Sequence, residues 1–122
     1  MGFCVDDYDA GSPLVIDPSL VFSTYLGGSG TEWISRVAVD SSGNVIVAGT
    51  TTSATLPVVN SSDGTHNGKT DLLLAKYTAD GLLSYLTYVG GSEDEPVAYG
   101  CTMTFDLATD SSGNVVVSGH TT

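Results

Sequence analysis

Few residues of this chain are of a type and spacing that could do chemistry. His66 and His120 are its two histidines. His66 lies in a Gly/Asn/Asp loop and His120 in the last expected strand, and neither has a second His or a Cys at ligand spacing. No Ser-His-Asp or Cys-His arrangement has local support, because every Ser falls in turn chemistry or strand alternation. Glu93-Asp94-Glu95 is the densest charge cluster and reads as a solvated loop, with calcium binding or acid–base work as the sharper alternative. Asp40-Ser41-Ser42-Gly43-Asn44 and Asp110-Ser111-Ser112-Gly113-Asn114 also present oxygens. A calcium loop needs about six or more of them, and these segments offer few. They read instead as tight hairpin turns: Asp accepts from backbone N–H groups two residues on, and Gly and Asn tolerate positive φ. Gly27-Gly28-Ser29 lacks the Lys and helix of a phosphate loop. No catalytic, cofactor-binding or metal-ligating residue is assigned, no cofactor is expected, and the chain does not read as an enzyme.

What must be explained is repetition. Tyr25-Leu26-Gly27-Gly28-Ser29 returns as Tyr88-Val89-Gly90-Gly91-Ser92, a spacing of 63. The Asp-Ser-Ser-Gly-Asn turn returns at a spacing of 70, each time followed by an apolar run: Val45-Ile46-Val47-Ala48-Gly49 and Val115-Val116-Val117-Ser118-Gly119. Units of this length point to a stacked or radial array, in which a single unit cannot bury its apolar face alone.

Composition bounds the rest. The 122 residues make one domain the prior, and 41% apolar residues are enough for a core. Arg36, Lys69 and Lys76 are the only basic side chains against 14 acidic ones, a net charge of −11. That balance argues against a nucleic-acid partner and against an anionic membrane surface. No apolar run reaches the ~18 residues of a transmembrane helix, so membrane insertion is not expected. The opening Met-Gly-Phe-Cys-Val-Asp-Asp lacks the basic start and apolar stretch of a signal peptide. Cys4 and Cys101 permit one disulfide, and Asn60-Ser61-Ser62 matches the N-glycosylation acceptor pattern, which needs a secreted setting.

Alternation and turn signals divide the chain into eight strands. They span Pro13 to Asp17, Leu20 to Leu26, Ile34 to Val39, Val45 to Thr50, Asp71 to Tyr77, Leu82 to Val89, Thr102 to Thr109 and Val115 to Thr121. A polar loop is expected over Thr51 to Thr70.

These residues carry a family resemblance. Phe22-Ser-Thr-Tyr-Leu-Gly-Gly-Ser-Gly30, followed by Val37-Ala-Val-Asp-Ser-Ser-Gly-Asn-Val45 and Val47-Ala-Gly49, resembles the SBBP repeat, a β-propeller repeat of bacterial and archaeal surface and secreted proteins. Thr70-Asp71-Leu-Leu-Leu-Ala-Lys76-Tyr-Thr-Ala-Asp-Gly81 is similar to the family's middle segment, and Val15-Ile16-Asp17-Pro18-Ser19-Leu20 to its lead-in. The second copy departs by seven extra residues in the region Glu93 to Phe105.

The resemblance implies an all-β fold of antiparallel four-stranded propeller-like blades, about two blades' worth. Residues 1–12 are then a tail and 13–122 the repeat domain. The domain divides into a half blade at 13–30, a full blade at 31–91 and a half blade at 92–122. Propeller rings typically take roughly 4–8 blades. The expectation is therefore that the split blade is completed in trans. Val115, Val116 and Val117 of one copy would meet Pro13, Leu14, Val15 and Ile16 of the next. Such head-to-tail contacts give a closed ring or an open filament. Within this scheme Cys4 and Cys101 enter the same face of the joint from neighbouring copies, so an intermolecular disulfide is allowed. The expected setting is extracellular or on the cell surface, and the expected partner is the chain itself. The alternative is a fragment of a larger surface propeller that binds a glycan or a protein. Tyr25, Tyr77, Tyr85, Tyr88 and Trp33 would then serve as a sugar platform rather than as packing between blades.

Overall fold

The computed structural model describes residues 19–92 and 105–119. Every regular element in them is a strand: β1 Glu32–Val39, β2 Val45–Thr51, β3 Asp71–Tyr77, β4 Leu83–Val89, β5 Asp106–Thr109 and β6 Val115–Ser118. The first four form one antiparallel sheet in the order β1-β2-β3-β4, and β5 and β6 form a separate two-stranded sheet. The fold is all-β, as expected, and consistent with partial propeller blades.

The hairpins follow from their turn residues. Asp40 Oδ1 accepts the N–H groups of Ser42 (2.9 Å) and Asn44 (3.0 Å), and Gly43 takes φ +80°. Asp110 and Gly113 repeat this arrangement. Asn44 and Asn114 do not take positive φ; their amides donate to the carboxylates of Asp40 (2.9 Å) and Asp110 (2.7 Å). Asn therefore acts through its side chain, and Gly alone supplies the left-handed residue.

Strand alternation gives the four-stranded sheet two faces. Cross-strand register places Val37, Val47 and Ala75 with Leu86, and Val39, Val45 and Tyr77, on the first face. Ala38, Ile46, Lys76 and Tyr85, with Ala48 and Leu74, lie on the second. The main core sits on the first face, where Leu73, Ala75, Tyr77, Leu86 and Tyr88 pack with Leu56.

Leu56 and Ser53 are buried, although both lie in the segment expected to be a polar loop. Tyr88 is the reason: its hydroxyl accepts the Leu56 N–H (3.0 Å) and donates to the Ser53 carbonyl (2.8 Å). The same loop then runs along β4, where the Leu86 N–H donates to the Val59 carbonyl at 2.9 Å. The outer edge of the sheet is thereby covered, which removes a template for misplaced strand pairing. Replacing Tyr88 with Phe strands a buried N–H and a buried carbonyl, so urea unfolding should show a loss of about 1–3 kcal/mol. A loss near zero would mean the hydroxyl does not hold the loop.

Strand bounds shift slightly, β1 beginning at Glu32 rather than Ile34, β2 reaching Thr51 rather than Thr50 and β4 beginning at Leu83 rather than Leu82, and three other expectations change further. Leu20 to Leu26 forms no strand. A strand needs a hydrogen-bonded neighbour, and the one expected for it, Pro13 to Asp17, lies outside the described residues. The segment is held by side chains instead: Phe22 and Leu26 pack on the core, and the Phe22 ring lies 6.3 Å from that of Tyr77. The strand expected from Thr102 begins at Asp106, with 102–104 outside the described residues. The strand expected to reach Thr121 ends at Ser118, with 120–122 outside them.

Candidate functional site

The β5–β6 hairpin lies against the second face of the four-stranded sheet, and it does so in repeat register. Ser41 Oγ donates to the Ser111 carbonyl at 3.1 Å, and Arg36 Nε donates to Asp106 Oδ1 at 3.3 Å; in both pairs the residues are 70 apart. Equivalent positions of successive repeats thus sit beside one another. Leu107, Thr109, Val115 and Val117 turn inward, half-buried, while Ala108 and Val116 face out. The inward set corresponds to Val37, Val39, Val45 and Val47 of the first repeat.

Stacking leaves the outer face of the hairpin and the β1 side of the first face open. Ile46 on the stacked second face is 0% exposed, whereas Val116, its counterpart one repeat on, is 59% exposed. On the other side Val37 and Val39 are 63% and 60% exposed, although their counterparts Leu107 and Thr109 are half-buried. Two grooves border these open surfaces. One, about 300 Å³, lies on the first face between Phe22, Ser23, Thr24 and Leu26 on one side and Ile34, Val45, Val47 and Tyr77 on the other. The second, about 350 Å³, lies on the second face beside the hairpin, among Leu74, Tyr85, Thr87, Gly113, Asn114 and Val115. Each groove is walled on one side by the half-blade segment present there, either 20–26 or the hairpin.

Charge is concentrated at the stacked joint. Lys76 Nζ contacts Asp40 Oδ2 at 2.9 Å and donates to the Gly113 carbonyl at 3.2 Å, tying the turn of one sheet to the turn of the next. Two of the chain's three basic residues, Arg36 and Lys76, therefore lie at this joint. The Asn44 amide, with Lys76 beside it, holds the Asp40 carboxyl far below the usual carboxylate range. A depressed carboxyl stabilises the fold above its unfolded value and loses that contribution as pH falls toward the folded one. The stability advantage of the wild-type chain over Asp40→Asn should therefore be full at neutral pH and shrink below pH ~4. Thermal melts of both chains across that range check this, and a constant difference down to strong acid would contradict it.

Gly28 belongs to a second ordered corner. A Cβ there would stand 2.8 Å from the Ser53 Cβ, so only glycine lets this loop close on the sheet. The Glu32 carboxylate organises the corner, accepting from Ser53, from Thr51 (2.9 Å) and from the Gly28 N–H (3.2 Å). Burial pushes this carboxyl upward, but those hydrogen bonds outweigh it and leave it below its ordinary value. Sequence reading missed Glu32. The available signal was an acid four residues after a Gly-Gly pair.

The other candidate residues are scattered. Asn60 is exposed at φ 46°, and its amide donates to the Ser84 carbonyl at 2.9 Å. His66 packs edge-on against Tyr88 at 5.8 Å. Tyr77 and Tyr88 are core residues, while Tyr25 and Trp33 are exposed. Among the described residues no group of three or more His, Cys, Asp or Glu could hold a metal. Cys4, Cys101, Pro13, Leu14, Val15, Ile16, His120 and Glu93-Asp94-Glu95 lie outside the described residues.

Residues 21–57 match the SBBP family, described as a beta-propeller repeat, which bears out the resemblance over that segment. No curated protein and no solved structure matches the chain.

Proposed function

We propose that this propeller-type module is structural and non-catalytic, and that it assembles head to tail with copies of itself at the cell surface or outside the cell. The observation that carries the reading is the reciprocity of the two grooves. The groove on the first face is walled by segment 20–26 and open where a hairpin like β5–β6 would lie. The groove beside β5–β6 is open where a segment like 20–26 would lie. The hairpin of one copy and the 20–26 segment of the next together fill both, and the blade so formed belongs to two chains. In this joint the outer face of the hairpin, with Ala108 and Val116, covers Ile34, Val37 and Val39 of the neighbour.

Strand pairing adds to face packing. Within the described residues β6 pairs only with β5, leaving its far edge as a template for a neighbour's strand. The expected occupant is the Pro13 to Asp17 segment. The contact is heterologous, so it closes into a ring or propagates as a filament. Negative-stain microscopy of the purified chain tests the reading. Rings or filaments are expected, and a field of single folded particles at high protein concentration would overturn it.

A further inference from the structure

The two grooves are one groove met twice, a repeat apart. At the spacing of 63 that joins the two Gly-Gly segments, Phe22 corresponds to Tyr85 and Thr24 to Thr87; at the spacing of 70, Val45 corresponds to Val115. Phe22, Thr24 and Val45 line the groove on the first face, and Tyr85, Thr87 and Val115 line the groove beside the hairpin. Segment 20–26 therefore lies on its own sheet where the outermost strand of a preceding repeat would lie. Resting on the head-to-tail reading, we infer that Tyr25 is the anchor of the joint: its ring enters the groove beside the neighbour's hairpin and packs on Tyr85 and Val89 of that neighbour.

Three observations carry the assignment. First, the contact has a counterpart inside one chain. Phe22 and Leu26, which correspond to Tyr85 and Val89, pack against the core cluster that contains Tyr88, and Tyr88 corresponds to Tyr25. Moving that arrangement one repeat along puts Tyr25 of one copy against Tyr85 and Val89 of another. Second, the two sides of the segment agree with it. Phe22 and Leu26 are half-buried on their own sheet, whereas Tyr25, on the opposite side, is 101% exposed, although its counterpart Tyr88 is 1% exposed. Tyr85 and Val89 share the second face, the one that the neighbour's segment would cover, and Val89 is 42% exposed there. Third, the groove continues a contact that already exists: one wall is the sheet, with Leu74, Tyr85 and Thr87, and the other is the hairpin packed on that sheet. A tyrosine ring supplies large contact area at little cost in side-chain freedom, and aromatic residues seated in such pockets carry much of an interface's energy.

Two measurements test the anchor. Tyr25→Ala should raise the concentration at which half the chain is associated, read by light scattering, at least about tenfold over wild type. Its thermal melt in dilute solution should match that of dilute wild type, because the ring is exposed in the single chain. Benzoylphenylalanine placed at position 25 of an isotope-labelled chain, mixed as a trace into assembled wild-type chain and irradiated, should crosslink to the β4 peptide of another copy. If Tyr25→Ala associates as wild type does, or if wild type assembles and no crosslink falls on β4 of another copy, the anchor is overturned while the head-to-tail reading stands. A lowered melt of dilute Tyr25→Ala would place the ring in the fold of the single chain and overturn it as well. If wild type itself stays monomeric, the head-to-tail reading falls and the anchor with it.

Discussion

Val116→Asp should leave the chain folded and monomeric. Within one copy Val116 is 59% exposed and points away from the sheet its hairpin covers. A polar residue there costs the isolated fold within about 0.5 kcal/mol, as at other surface positions. In the proposed joint the same position would take the place that Ile46 holds inside the chain, where burial is complete. A carboxylate at that place is buried without a partner, a cost of several kcal/mol that a single joint cannot offset. Light scattering should show the variant at monomer mass over the concentration range where wild type is proposed to associate, with the melting temperature of wild type diluted below association. The matched control is Ile46→Asp, which places the same charge at the equivalent position and should fail to fold. If Val116→Asp associates as wild type does, the outer face of the hairpin is not the interface.

Leu86→Ala should cost about 2–5 kcal/mol of folding stability. Leu86 is 0% exposed, lies on the first face beside Ala75, and belongs to the cluster built around Tyr88 and Leu56. Its backbone also pairs with Val59, so the loop that covers the outer edge packs over the same residue. The cavity left by truncation is bounded by strands on one side and by that loop on the other. Urea unfolding followed by circular dichroism gives the loss directly. A change under about 1 kcal/mol would mean that the loop collapses into the space and that the cluster is not the core of the sheet.

Much of this fold was legible in the sequence because its determinants are local. The stretch Val45-Ile-Val-Ala-Gly and the turn Asp40 to Asn44 specify a hairpin within a few residues of one another, and β3 runs over Asp71–Tyr77, an apolar run stopped by Ala79-Asp80-Gly81. The segment 20–26 reads the same way, yet it forms no strand, because strand identity is a property of a pair. The burial of Ser53 and Leu56 was not legible, since it depends on a hydroxyl more than 30 residues away. The Glu32 corner depends in the same way on Ser53 and Gly28, two segments joined only by the fold.

The two open faces were legible only as a mismatch of phase between the repeats. The sequence shows that Val116 and Ile46 are equivalent. Burial shows that one is covered and the other is not, because a neighbouring sheet lies on one side of each repeat. Arg36 and Asp106 are likewise unremarkable as an isolated surface pair, worth little in stability.

Completion of one copy's split blade by another is read from size-exclusion light scattering of the wild-type chain over a wide concentration range. The mass should grow with concentration in multiples of the 12.5 kDa chain, ending in a discrete ring or in material too large to enter the column. A folded protein that stays at 12.5 kDa throughout would contradict it.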